Sequence, residues 1–184
     1  MAEAPFEKVA IRAIIKKAGV PTGSFYARFP TKQALLTFLY ERYITDMEAT
    51  AERELPAMKR LPPRQSLAAI VRLACRLYKK RRGVVRSAYL HFRTGAPQVA
   101  ILDTMAGRHA RLVGKLQAVI THAAQRRRHP DPQRAARFIL KIILVAGREH
   151  FLFPEQASAI VMTDTEFESE LIRTADAYLR ARSN

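Results

Sequence analysis

An all-α fold is predicted by three observations. Apolar residues recur at helical spacing along nearly the whole chain, almost no stretch alternates as a strand would, and Pro and Gly fall between segments of helix length. The breakers are Gly19 with Pro21, Pro30, Pro56, Pro62-Pro63, Gly83, Gly95 with Pro97, Pro130 with Pro132, and Pro154. They predict helices over about 8–18, 22–28, 31–54, 64–82, 84–94, 98–127, 132–153 and 165–182.

The first two helices, IRAIIKKA and TGSFYARF, are joined by the tight turn Ala18-Gly19-Val20-Pro21, which has the length and composition of a helix-turn-helix. Gly19 suits the left-handed position that closes a helix, Val20 is expected to plug the angle between the two, and Pro21 or Thr22 opens the second. Phe25 and Phe29, four residues apart, would face the core with Ile14, Ile15 and Val20. Thr22, Ser24, Ala27 and Arg28 then turn outward, with Tyr26 at the edge. Gly23 would let a bound molecule approach the backbone closely. Lys32 falls in the first turn of the third helix, where an ammonium and peptide N–H groups can hold one phosphate together.

Two later segments differ in character. In the fourth helix Leu67, Ile70, Val71, Ala74, Leu77 and Tyr78 share a face, while Arg72, Arg76, Lys79 and Lys80 occupy the other, an amphipathic helix with a basic back. The seventh carries Phe138-Ile139-Leu140 and Ile142 to Ala146 with little polar face, so it is either buried all round or half of an oligomer interface.

Composition bounds the function. A chain of 184 residues that is 48% hydrophobic can bury a sizeable core. The N-terminus has no signal-peptide pattern and no apolar run is long enough to span a bilayer, so a cytoplasmic protein without a membrane partner is expected. Cys75 is the lone cysteine, which excludes an internal disulfide. A net charge of +16 suggests a polyanionic partner. That charge is uneven: +1 over residues 1–58, +19 over 59–148 and −4 over 149–184. Lys79-Lys80-Arg81-Arg82 and Arg126-Arg127-Arg128 cap helix ends, where cations meet the negative end of the macrodipole; they are read either as solvated faces or as a rim that attracts an anionic effector.

The stretch FEKVAIRAIIKKAGVPTGSFYARFPTKQALL, Phe6 to Leu36, resembles the DNA-binding domain of the TetR family of bacterial transcriptional regulators. Its most specific parts are the Ala-Gly-Val turn, the frame Gly23-x-x-Tyr26-x-x-Phe29, and Lys32 followed by Leu35-Leu36. The resemblance implies a DNA-binding domain over residues 1–45 and an effector-binding and dimerisation domain over 46–184. It implies a repressor that grips a palindromic double-stranded operator as a homodimer and is released by a small-molecule effector. Its recognition helix would enter the major groove, with the positions of Tyr26 and Lys32 on phosphates. The DNA-contacting set is then Arg12, Lys16, Thr22, Gly23, Ser24, Tyr26, Ala27, Arg28 and Lys32.

The chain departs from the family pattern in three places. Val9-Ala10 stands where a Thr or Ser usually opens the first helix of the motif, Thr22 stands where a Lys is usual, and Arg28 replaces a common His or Tyr. The family also has a further helix before Phe6, for which this sequence offers only Met1 to Pro5; a start assigned too far downstream, a cut chain and a decayed DNA-binding function all fit. Weak, salt-sensitive DNA binding is expected of such a chain, and a dimeric effector-binding protein that has lost DNA binding is the rival reading.

An effector pocket is expected between the helices at 64–94 and 98–127, where polar groups lie on apolar faces. His109 shares a stripe with Met105, Leu112 and Leu116 and is expected to point inward toward Cys75, Tyr78, Tyr89 and Phe92. An elongated apolar ligand with an anionic end would suit it. The expected dimer contacts are Ala146, Gly147, His150 and Phe151 against Leu171, Ala175 and Tyr178, with Gly147 permitting close approach of a partner helix. No cofactor, metal or catalytic activity is expected: the five His residues form no metal-binding pattern with a carboxylate, and phosphate loops, nucleophile elbows and paired cysteines do not occur.

Overall fold

The computed structural model describes residues 9–94, 99–155 and 160–181, and the side chains of all of these but 91–94 and 99–106. Every regular element among them is an α-helix: α1 (Ile11–Ala18), α2 (Thr22–Arg28), α3 (Lys32–Arg60), α4 (Pro63–Lys80), α5 (Arg82–Thr94), α6 (Val99–Arg126), α7 (Pro132–Leu152) and α8 (Asp164–Arg180). What precedes Phe6 lies outside the described residues.

Local chemistry accounts for most of the boundaries. Gly19 closes α1 at φ 65°, with its N–H on the Ile15 and Lys16 carbonyls. Thr31 caps α3 by accepting from the Ala34 N–H at 3.0 Å, and Asp131 caps α7 through the Arg134 N–H at 2.9 Å. Thr163 and Glu166 form a reciprocal capping box at the start of α8. Pro62 and Pro63 separate α3 from α4, and Pro63 sits at the first position of α4.

The expected stop at Pro56 does not occur. Helix α3 continues through it to Arg60. Pro56 lies on the solvent side, while Leu55 and Met58 are buried in the core and hold the last turn in place. The burial of two large side chains on either side of Pro56 outweighs the backbone bond it cannot donate.

Two separate cores form along α3. The small one joins Ile15, Phe25 and Leu35, with Ile11, Ile14, Phe29 and Leu39 partly buried against it. The large one begins at Tyr43 and Ile44 and takes in the inner faces of α3 to α8. In α4 the predicted apolar face is buried or half-buried and Arg72, Arg76, Lys79 and Lys80 are exposed, with Ser66, Ala68, Leu73 and Cys75 widening the buried side. Helix α6 packs against α3, α4 and α7.

Ion pairs and carbonyl caps tie the helix ends. Asp176 of α8, almost fully buried, receives Arg127, just past the end of α6, at 2.9 Å and Arg180 at 2.6 Å. Arg126 donates to the Leu61 carbonyl that ends α3, and Arg86 to the Leu152 carbonyl that ends α7. Arg108 of α6 forks onto Glu48 of α3, which holds the Glu48 carboxyl below its usual range through that hydrogen bond.

Candidate nucleic-acid interface and effector region

The helix-turn-helix presents an uncovered face. Thr22, Gly23, Ser24, Tyr26, Ala27 and Arg28 of α2 are all exposed, as are Arg12 and Lys16 of α1. They are outside because Phe25, on the opposite side of α2, is buried against Ile15 and Leu35 and packs on Phe29 with ring centroids 5.5 Å apart. Arg12, Ile15, Lys16, Thr22 and Tyr26 line a concavity of about 430 Å³ between α1 and α2. Between Val9 and Leu39 the chain carries five cations and no acid. Such a surface, with exposed peptide N–H groups at the start of α2 and Lys32 at the start of α3, suits a phosphate backbone.

One expectation there is corrected, and one outward residue takes a particular pose. Val20 is 41% exposed and does not plug the interhelical angle; Ile15 and Phe25 fill that space, and the left-handed Gly19 turns the chain so that Val20 falls outside it. Arg28 is exposed, but its guanidinium folds back over the rings of Phe29 and Phe38, at 5.7 and 5.3 Å. A phosphate must draw it from that cation–π contact.

Among the described side chains, the residues expected to line an effector pocket are not gathered around one cavity. Leu112 and Cys75 are buried in the large core, and burial pushes the Cys75 thiol up to about 11. Cys75 forms the floor of a groove on the α8 side of α4, with Arg72, Arg76, Lys79, Lys80 and Glu168. Tyr78 is half-buried, and its hydroxyl donates to the Leu144 carbonyl of α7 at 3.0 Å. Tyr89 packs on Phe153, with the Arg148 guanidinium 4.8 Å above its ring. His109 is exposed, not turned into the stripe with Leu112 and Leu116; among the described side chains of α6, Leu112 is the first that is buried. Enough protein still surrounds His109 for desolvation to lower its pKa. The side chains of Phe92 and Met105 lie outside those described.

A cavity of about 360 Å³ that the sequence did not signal opens where α4 and α7 end and α8 begins. Lys79, Arg82, His150 and Asp164 form its polar side, and Phe151, Pro154 and the segment from Ile160 to Met162 its apolar side. Asp164 binds Lys79 at 2.9 Å and His150 at 3.1 Å. Burial opposes its charge, yet those two hydrogen bonds hold its carboxyl below the usual range. Ile160 and Val161 stand 75% and 89% exposed, an uncommon display of adjacent aliphatic side chains.

The expected dimer contacts are also corrected. Gly147, Phe151, Leu171 and Ala175 are buried inside the protomer, and a Cβ on Gly147 would come within 3.1 Å of the Tyr78 ring, so this glycine admits Tyr78 of α4 and not a partner helix. Ala146 is half-buried, and His150 is stacked on Phe167 with ring centroids 4.1 Å apart. The uncovered stripe of α7 runs instead through Phe138, 47% exposed, Ile142 and Val145, 41% exposed. Tyr178 of α8 lies against Phe138 at 5.0 Å. Helix α7 is therefore not buried all round, and spacing by fours and threes from Phe138 would have found this face in the sequence.

The two basic clusters do not form one rim. Lys79 to Arg82 lie beside the start of α8, whereas Arg126 to Arg128 lie beside the end of α3 and the end of α8. The 18 residues of α4 put them about 27 Å apart.

An exposed, acid-free helix-turn-helix mounted on a long helix that enters a larger helical body defines a DNA-binding protein of the helix-turn-helix class. Residues 1–37 match the family model of the bacterial regulatory proteins, tetR family. The crystal structure of a TetR family transcriptional regulator, PfmR from Thermus thermophilus, has the same fold with a TM-score of 0.65, at 17% identity over 97% of this chain and 92% of that one. No curated protein matches the sequence. The start of the chain is thus similar to the TetR family's model, and the whole chain shares the fold of that solved regulator. No helix among the described residues is long and apolar enough to cross a membrane.

Proposed function

We propose that this transcriptional regulator acts as a homodimeric repressor, placing α2 of each protomer in the major groove of a palindromic operator and releasing it when an apolar effector with an anionic end binds the helical body. The observation that carries the reading is the exposed face of α2 beside the Arg12, Lys16, Thr22 and Tyr26 concavity. Residues 1–45 form the DNA-binding domain and 46–184 the effector and dimer domain, with α3 running through the boundary as a mechanical link. The dimer uses α7 and α8 through Phe138, Ile142, Val145 and Tyr178, since Gly147, Phe151, Leu171 and Ala175 are spent inside the protomer. The effector's anionic end meets Lys79 and Arg82, and its apolar part meets Ile160 and Val161.

Selection of bound sites from a random duplex library, followed by binding measured across a salt series, tests the DNA part. An inverted repeat should be enriched. Tyr26→Ala and Lys32→Ala should weaken binding on every sequence, while changes at Thr22 and Ser24 should alter the site chosen. Library recovery without any sequence preference would remove the repressor reading and favour the rival effector-binding protein. For the effector, anionic and neutral compounds of equal size are compared by thermal shift; equal stabilisation would show that Lys79 and Arg82 take no part in selection.

A further inference from the structure

One end of the helical body collects cations that no carboxylate of the described residues balances. Arg64, Arg127 and Arg180 all approach Asp176, and Arg126 reaches the Leu61 carbonyl, so the ends of α3, α6 and α8 meet the start of α4 there, with α7 beginning close by. Asp176 answers Arg127 and Arg180, and Asp131 is engaged in capping α7. Lys59, Arg60, Arg126, Arg128 and Arg134 remain, all exposed and none in an ion pair with a described residue.

Arg128 is the telling member. The chain leaves α6 through a turn in which the His129 N–H returns to the Ala124 carbonyl at 3.0 Å and the Arg128 N–H to that of Gln125 at 2.9 Å. Such a turn needs a left-handed residue and ordinarily takes Gly. Arg128 holds φ 55°, alone among the described non-glycine residues in that region. Its side chain makes no hydrogen bond or ion pair with a described residue that would explain the strain.

We propose that this end is a second DNA-binding surface, indifferent to sequence, that holds the phosphate backbone of a duplex segment other than the operator and so lets one molecule bridge two segments. Guanidinium groups match phosphate in paired hydrogen bonds, and four of the five unpaired cations are Arg. They are spread over the ends of α3 and α6 and the start of α7, which suits an extended polyanion better than a small one. Their neighbours include Pro62, Gln65, Gln125, Pro130 and Gln133, which provide no apolar wedge for a membrane. The 29 residues of α3 place this end about 43 Å from Lys32, so the α2 face and this one address different segments.

The test uses the full chain with Arg12→Gln, Lys16→Gln, Lys17→Gln, Arg28→Gln and Lys32→Gln, which removes all five cations between Val9 and Leu39. Random-sequence duplex should still bind, with an affinity that falls steeply with salt. Adding Arg60→Gln, Arg128→Gln and Arg134→Gln should lower the log–log salt slope by about two to three, at about 0.9 for each phosphate no longer neutralised. In the otherwise native chain, bead-bound duplex should capture a second, labelled duplex, and these three changes should abolish that capture while leaving the first duplex bound. Arg128→Gly separates charge from folding: it should raise the melting temperature by relieving the left-handed strain and still reduce capture. Loss of all duplex binding with the helix-turn-helix cations gone, an unchanged slope, unchanged capture by Arg128→Gly, or tighter binding to phosphatidylglycerol vesicles than to duplex would each overturn the proposal.

Discussion

The two stretches of α3 are held by cores of unequal size. Among the described residues, its first turns belong to a small core of Ile15, Phe25 and Leu35 with four partly buried neighbours, whereas from Tyr43 onward it belongs to a core of thirty buried residues. Hydrophobic stabilisation scales with the apolar area removed from water, so the body sets the global stability and the DNA-reading end is the part that opens locally at lower cost. Bonds between elements follow the same division. Helices α3, α4, α6, α7 and α8 are pinned by Asp176, Glu48, Glu54 and Asp164, while α1 and α2 carry cations and no acid with which to form an internal ion pair. A surface built for a polyanion forgoes the bridges that would stiffen it.

The largest test of this difference is Phe25→Ala, expected to cost about 3–5 kcal/mol but only within the first three helices. DNA binding should disappear while the main thermal transition, followed by circular dichroism, stays within a few degrees of native. A shift of the whole transition would mean that the two cores unfold as one. Ile44→Ala, at a fully buried position where the large core begins, should instead lower the whole transition, by about 2–5 kcal/mol in chemical denaturation. Asp176→Asn keeps the shape but leaves Arg127 and Arg180 without a charged partner, and about 1–3 kcal/mol should be lost, again from the body.

The smallest effect is a pH dependence confined to the body. The hydrogen bond from Arg108 lowers the Glu48 pKa, and hydrogen bonds from Lys79 and His150 lower that of Asp164 against the opposing effect of burial. Each group binds its proton more weakly folded than unfolded, so its contribution is present above about pH 4.5 and is lost as the pH falls through the lowered native value. Between Val9 and Leu39 there is no carboxylate to titrate. Amide resonances of α4 and α8 should therefore report acid loosening at a higher pH than those of α2; the reverse order would contradict the division of labour.

Much of the molecule was legible because it depends on neighbours in sequence. Gly19, Thr31, Pro63 and Thr163 act on backbone groups within a few residues, and the spacing of Phe25 and Phe29 alone turns Thr22, Ser24 and Ala27 outward. The helix-turn-helix and its outward residues therefore followed from periodicity. Pro56 was misread because its local penalty is opposed by the burial of Leu55 and Met58, and that burial comes from helices far away in sequence.

Which apolar face meets which partner was settled only by the packing of distant segments. Periodicity marks Gly147, Phe151, Leu171 and Ala175 as apolar helix positions, but all four are buried within the protomer, Gly147 and Phe151 against Tyr78, which is sixty-nine residues before Gly147, while Phe138 and Val145 stay outside. His109 keeps the spacing of a buried stripe and is exposed, while Leu112, three residues on, is buried. The runs at Lys79 and Arg126 were visible as charge, yet only the antiparallel course of α4 against α3 sends them to opposite ends. Composition and spacing determine what a segment can bury and which face is charged; the choice between burial within the chain and display to DNA, an effector or a second copy depends on contacts that span the whole chain.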